Sequence, residues 1–306
     1  APQAPPSTFS SMPELPDITV YVEALSTRVV GQELREAHIG SPFLLRTVDP
    51  PLAELAGRRV TGVRRMAKRI VFAFDGDLRM VLHLMIAGRL HWLSTKKRVP
   101  KTVLAAFEFP NGTLTLTEAG TKKRASMHLA RGDASLGAFE RGGLDVFSCS
   151  TADFAARARS ENHTIKRTLT DQRMFNGIGN AYSDEILHRA KQSPVKLTSR
   201  MTDDEYARLH EATRAVLTEW VERLRAQARA EFPEKVTAFR PEMAVHGKYN
   251  RPCPVCATKV QRIRYADNET NYCPRCQTEG RLLADRGLSR LLKSDWPRRI
   301  EELEGG

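Results

Sequence analysis

Near the head of the chain, Met12-Pro13-Glu14-Leu15-Pro16-Asp17 sets two carboxylates one and four residues after a proline. With Met12 as initiator, trimming ahead of the small Pro13 would leave a free secondary α-amine. An α-amine titrates roughly two units below a Lys side chain, so far more of it is nucleophilic at neutral pH. Glu14 and Asp17 are carboxylates able to shuttle protons beside such an amine. The same six residues also read as a plain helix entry, with Pro early and acidic groups in the first turn favouring the macrodipole. Residues 1–11 are Pro- and Ser-rich and read as a disordered extension. While they remain attached, the Pro13 nitrogen is an amide and no nucleophile.

The second chemical pattern is Cys253-Pro-Val-Cys256, sixteen residues, then Cys273-Pro-Arg-Cys276. Two Cys-x-x-Cys knuckles at this separation suit one structural zinc ion held by four thiolates. Lys259 to Tyr265 alternates as a strand, and Tyr272 fits a second. A β-hairpin zinc ribbon follows, with too little core to fold without metal. Its Arg and Lys content suits DNA phosphates; a structural or protein-binding ribbon is the alternative. The remaining cysteine, Cys149, sits in an apolar run and reads as an inert packed thiol.

At 306 residues the chain has room for two modest domains. Its 48 basic against 36 acidic residues, a formal charge of +12, suit a polyanion, nucleic acid before membrane. No apolar run approaches the roughly eighteen residues of a membrane span. The N-terminus lacks a secretory pattern. The expectation is an intracellular protein, cytoplasmic and nucleoid-associated.

Apolar residues Ile18, Val22, Leu25 and Val29 recur at helical spacing and stop at Gly31. Strand patterns then dominate over 59–63, 69–74, 78–84, 90–93, 103–109 and 113–117. Asp75-Gly76-Asp77 and Asn111-Gly112 serve as hairpin turns. A β-sandwich packed against the N-terminal helix is predicted. From about Thr151 the period turns helical, over 152–158, 163–169, 180–190 and 203–229, with Thr202 capping the last. Gly177-Ile178-Gly179-Asn180 puts two glycines before a helix start. Such a turn either cradles a phosphate or is a loop needing glycine torsions.

Taken together, these blocks resemble the formamidopyrimidine-DNA glycosylase / endonuclease VIII family of base-excision-repair enzymes, from Met12 to about Gln277. Pro13-Glu14-Leu15-Pro16-Asp17 is close to the family's opening Pro-Glu-Leu-Pro-Glu. Arg64-Arg65-Met66-Ala67-Lys68 is similar to the hairpin that supplies the family's catalytic lysine. His83 to Leu90 is similar to the next block, and Asp171 to Tyr182 matches the helix–two-turn–helix motif. The resemblance implies an α+β fold. It comprises an N-terminal helix plus β-sandwich catalytic domain (12–148), a helix–two-turn–helix domain (151–245), a β-hairpin zinc ribbon (246–280) and a tail (281–306).

It further implies a monomeric glycosylase/AP lyase acting on damaged double-stranded DNA. Pro13 would attack the sugar, Glu14 would handle protons, Asp17 would assist, and Lys68 would bind a phosphate. Asn180 would hold the backbone, with Lys166 and His163 as further candidates, and Arg262, Arg264 and Asn268 as ribbon contacts. The alternative is a non-catalytic binder of damaged or abasic DNA with the same fold. Four departures leave the lesion open. Asn268 stands at the family's ribbon-tip arginine, and Met85-Ile86-Ala87 replaces Gly-Met-Ser-Gly. Glu118 to Arg124 replaces Asp-Pro-Arg-Arg-Phe-Gly, and the loop covering 8-oxoguanine has no counterpart around Phe232 to Phe239. Beyond the ribbon, Arg281 to Leu292 is a basic amphipathic stretch.

Overall fold

The computed structural model describes residues 12–94, 99–100, 102–119, 122–228, 231–234, 240–265, 268–284 and 297–304. The predicted extension 1–11 and residues 285–292 of the basic stretch lie outside them. The chain divides into two compact units. One holds Met12–Gly142 and Thr218–Thr237, the other Gly143–Leu217 and Ala238–Gly306. Among the described residues no helix is long and apolar enough to cross a membrane.

In the first unit, helix α1 (Leu15–Val29) starts three residues before the apolar periodicity does. Pro16 and Asp17 occupy its first turn, where a proline lacks no bond and an acid finds unpaired N–H groups. Ile18, Tyr21, Leu25 and Val29 form its fully buried face. Among the described residues eight strands follow: β1 (Glu36–Ile39), β2 (Val60–Met66), β3 (Arg69–Phe74), β4 (Leu78–His83), β5 (Gly88–Leu93), β6 (Ala105–Phe109), β7 (Gly112–Glu118) and β8 (Ser126–Arg131). They form two four-stranded antiparallel sheets, β1-β6-β7-β5 and β2-β3-β4-β8. Phe72, Phe74 and Leu82 of one sheet meet Leu90, Phe107 and Leu116 of the other, with α1, in a single core. This is the predicted sandwich.

Gly76 and Asp77 take φ of +68° and +63°, the torsions a two-residue hairpin turn needs. Strands β1 and β8 lie outside the predicted set. Each is an edge strand, half-exposed or mixed in burial, so its alternation is weak in sequence. Phe232, from the return of the chain to this unit, packs against Tyr21 with ring centroids 5.8 Å apart.

The second unit is helical, with α2 (Thr151–Arg159), α3 (Ile165–Thr170), α4 (Asn180–Arg189) and the start of α5 (Asp203–Gln227). Ser150 caps α2 and Thr202 caps α5, its Oγ1 accepting from Glu205 N at 3.3 Å. Phe154 stacks on Phe175 and on His210 at 4.4 and 4.8 Å. Cys149 lies half-buried, its Sγ 3.8 Å from His210 Nε2, and burial raises its pKa. The ribbon hairpin is β9 (Gln261–Tyr265) paired antiparallel with β10 (Asn268–Tyr272), followed by α6 (Pro274–Thr278). Beyond it, Leu282 N donates to Arg298 O and Ile300 N to Gly280 O, burying Leu282 and Ile300.

Glu118 ends β7 buried and closes the loop that follows. Its carboxylate accepts from Arg124 N at 2.9 Å and Ala125 N at 3.2 Å, while Lys122, Lys123 and Arg124 stay exposed. Bonds from N–H groups to a buried carboxylate contribute about 1.5–3 kcal/mol each. Glu118→Ala is therefore expected to destabilise the protein by about 3 kcal/mol and to open this loop to trypsin. Urea unfolding and limited proteolysis check it; cleavage at the wild-type rate would count against the clamp.

Candidate active site and zinc centre

At the head of α1, Glu14 is the N-cap residue and Asp17 the third helical position. Glu14 N donates to Asp17 Oδ2 at 3.0 Å within a capping box, so the carboxylate of Asp17 orients the backbone next to Pro13. Pro13, Glu14 and Asp17 are all buried. The β2–β3 hairpin turns through Ala67 at φ +50° and delivers Lys68, which is 9% exposed. Burial holds the Lys68 ammonium below its usual range, and the Glu14 and Asp17 carboxylates pull it back up. The structure thus brings the Lys68 ammonium to the Glu14 and Asp17 carboxylates, from two places in the sequence, in one buried cluster of opposite charges beside the buried Pro13.

The next turn is equally constrained. Gly88 N donates to Leu84 O at 2.9 Å, and a Cβ on Gly88 would meet that oxygen at 2.3 Å, so only glycine fits. Met85, at φ +53°, donates its N–H to His83 Nδ1 at 3.0 Å. His83 pairs with Arg69 across β3 and β4.

In the second unit, the turn before α4 is held by Gln172. Its amide donates to Ile178 O at 2.7 Å and accepts from Gly177 N at 2.8 Å. Asn180 opens α4 and donates Nδ2–H to Glu269 O on β10 at 3.0 Å. Lys166 donates to Asp184 Oδ1 (2.5 Å), Ser183 Oγ (2.9 Å) and Asn180 O (3.0 Å), so its ammonium is engaged inside the fold. His163 Nε2 lies 2.9 Å from Glu161 Oε2. Arg262 stacks over Tyr249, 4.0 Å from the ring centroid, and faces Glu269. Arg264 is exposed on β9, and Asn268 begins β10 opposite Tyr265. The ribbon residues thus meet the head of α4 through Asn180, whereas Arg262 and Arg264 are held by or on the hairpin itself.

Three residues without a predicted role stand out here. Asp184, Glu185 and His188 of α4 are buried although their types suggest a solvated helix face. Glu185 accepts from the successive N–H groups of Ala244, Val245 and His246, at 2.8, 2.9 and 2.9 Å. Burial still raises its pKa. Their only sequence trace is the spacing of Asp184 and His188, four and eight residues after Asn180.

The four ribbon cysteines fit a metal. Zinc at about 2.3 Å from four sulfurs in a tetrahedron separates them by about 3.8 Å. Cys256 Sγ lies 3.4 Å from Cys273 Sγ and 3.5 Å from Cys276 Sγ, Cys253 Sγ lies 3.9 Å from Cys276 Sγ, and all four fall within 4.8 Å. Burial raises the Cys273 thiol and pushes the Cys276 thiol up to about 12. Desolvated sulfurs of this kind become thiolates only around a cation.

Residues 12–125 match the formamidopyrimidine-DNA glycosylase N-terminal domain, 145–230 the formamidopyrimidine-DNA glycosylase H2TH domain, and 251–278 the zinc finger found in FPG and IleRS. The formamidopyrimidine-DNA glycosylase of Thermus thermophilus is 32% identical over 279 residues, 88% of this chain and 100% of that one. An uncharacterized formamidopyrimidine-DNA glycosylase-like protein of Mycobacterium tuberculosis is 43% identical over 152 residues, 49% of this chain and 94% of that one. The complex between Lactococcus lactis Fpg and DNA containing an abasic site is similar in structure, with TM-score 0.78 and 25% identity over 87% of this chain and 99% of that one.

A helix-led sandwich, an H2TH helical unit and a four-cysteine zinc ribbon together define a class of zinc-containing DNA-repair glycosylases. The chain belongs to the formamidopyrimidine-DNA glycosylase family. One structural zinc ion is its metal, held by Cys253, Cys256, Cys273 and Cys276.

Two measurements test these assignments. The ribbon's apolar cluster is little more than Val245, Val260 and the cysteines themselves. Chelation is expected to release a single zinc equivalent and expose the hairpin to proteolysis while the sandwich stays protected, as mass spectrometry of the fragments would show. Burial, reinforced by Arg69 and Lys68, pushes His83 down to about 3. An unfolded imidazole titrates near 6.5, so between these values the unfolded chain binds the extra proton. Stability therefore rises with pH through this window and falls as acid is added. His83→Gln is expected to flatten the difference between pH 4 and pH 7 by on the order of 3 kcal/mol in urea unfolding.

Proposed function

We propose that this chain is a bifunctional DNA glycosylase/AP lyase that excises damaged bases from double-stranded DNA. The observation that carries the reading is the buried cluster of Glu14, Asp17 and Lys68 around the start of α1, next to Pro13, in the unit that matches the family's N-terminal domain. The Lactococcus lactis protein of similar fold, solved on DNA containing an abasic site, supports the substrate class.

The damaged nucleotide would be flipped from the stack, at a cost of a few kcal/mol that a lesion lowers. The Pro13 amine, freed from the preceding residues, attacks C1′ with its lone pair. The glycosidic C–N bond breaks, and the base leaves with a proton. Loss of the ring oxygen's bond to C1′ leaves an iminium on the opened sugar, with Glu14 relaying protons between the two. Abstraction of a C2′ proton expels the 3′ phosphate (β-elimination). Proton loss at C4′ then expels the 5′ phosphate (δ-elimination). Asp17, bonded to Glu14 N, holds the terminus in line for the first attack.

Lys68 takes a phosphate beside the lesion as a point charge, and its burial makes an anionic partner worth more. Asn180 and the glycine turn before α4 hold the DNA backbone, with Lys166 orienting that helix start from behind. Arg264, exposed on the ribbon, and Asn268 at its tip provide further contacts. Arg262, stacked on Tyr249, offers its remaining donors. Zinc supplies no reacting group here; it shapes the ribbon.

Borohydride trapping on a duplex with an abasic site tests the mechanism. Protein beginning at Pro13 is expected to give a covalent adduct, and protein keeping the preceding residues is expected to give none. Absence of an adduct from the former would leave a binder of damaged DNA with no lyase chemistry.

A further inference from the structure

Asn180, Asp184 and His188 are spaced i, i+4 and i+8 along α4 and so form one ridge of the helix. Each reaches a different part of the zinc ribbon. Asn180 Nδ2 donates to Glu269 O on β10 at 3.0 Å. Asp184 Oδ2 accepts from Asn271 N at 3.1 Å and lies 2.8 Å from His246 Nδ1, while Oδ1 meets the Lys166 ammonium. His188 Nε2 lies 3.3 Å from Cys253 Sγ, one of the four zinc ligands. Asp184 is 1% exposed, His188 7% and Cys253 2%.

Packing alone does not require a carboxylate and an imidazole at these positions. An apolar ridge would avoid the desolvation cost of a buried ion. What the polar groups add is direction, since each contact fixes one ribbon atom against one helix position. The chemistry at the metal end is specific too. Four thiolates around a divalent ion leave a doubly negative centre, and a thiolate can only accept. An imidazole with its proton on Nε2 is the donor that such a sulfur calls for, His188 Nε2 lies within reach of it, and such outer contacts orient ligands and strengthen metal binding.

We propose that His188 is an outer-shell donor to the zinc centre and that Asp184 positions the ribbon on α4, so that zinc retention is coupled along this ridge to occupancy of the Asn180 turn. By linkage, a ligand held at that turn raises the affinity for zinc by the factor by which zinc raises the affinity for the ligand, and with the site already formed that gain is read as slower zinc loss. The part of the proposal concerning a ligand rests on the duplex-binding reading above; the part concerning His188 and zinc does not.

The test is zinc release from the full chain into excess chromogenic chelator, with and without saturating duplex containing a tetrahydrofuran abasic analogue. His188→Phe, which fills the same space without a donor, is expected to release zinc roughly tenfold faster. His188→Gln, whose amide can donate, should fall between it and the wild type. The duplex should slow wild-type release roughly fivefold, and this protection should be lost in both His188→Phe and Asp184→Asn. Two variants carry that arm, so failure of one to fold leaves the other.

A lowered melting temperature in His188→Phe with zinc release at the wild-type rate would make the residue merely structural and overturn the proposal. A duplex that binds, by fluorescence anisotropy, yet leaves wild-type release unchanged would overturn the coupling. If no duplex binds at all, the proposed function fails, and the comparison of His188→Phe with wild type still decides the role of His188.

Discussion

Helix α1 begins where unpaired N–H groups must find acceptors, and the way that need is met organises the first unit. Asp17 turns back onto Glu14 N and fixes the path of the chain at Pro13. Both carboxylates are then buried, a condition that is costly for lone charges and tolerable only with a cation nearby. Lys68 is that cation, and it arrives on a hairpin some fifty positions further on. A one-residue slip of β2 against β3 would send side chains to the opposite face and leave the acids uncompensated. The sandwich therefore serves the site through register as much as through shape, its core holding the two sheets so that one turn can reach one helix start.

The second unit solves a different problem. Its ribbon has too little apolar surface to hold a shape, so metal ligation and directed hydrogen bonds replace burial. Helix α4 is the backbone of that arrangement. Glu185 gathers three successive N–H groups from the segment leading into the ribbon, and Gln277 Nε2 reaches Gln192 O beyond the helix end. Lys166 balances Asp184 from α3. A residue type expected to meet solvent or phosphate is thereby drawn into the interior, where its charge stabilises a buried acid.

The two units thus keep ionisable groups out of water for different ends. In the first, burial gathers opposite charges next to a backbone nitrogen, which suits proton transfer and anion binding. In the second, the groups have their bonds among themselves and set the geometry of a surface. Basic residues displayed on the loop after β7 and on β9 remain exposed, in keeping with the excess positive charge of the chain.

Much of this was legible in the residue order because its causes are local. The two Cys-x-x-Cys knuckles specify a metal through spacing alone, and their sulfurs do converge. Hairpins at Asp75 to Asp77 and Asn111-Gly112, the apolar stripe of α1 and the cap at Thr202 depend on neighbours within a few positions. Strands β1 and β8 were not legible, because an edge strand shares its burial with partners far away in sequence. Nor could the order of residues reveal that Asp184, Glu185 and His188 face inward, since a polar helix face is normally a wet one. By itself the sequence determined most of the elements and the zinc ligands. Only tertiary structure decided which charges lose their water and which partners compensate them, because desolvation depends on everything that packs around a group and not on the residues beside it in the chain.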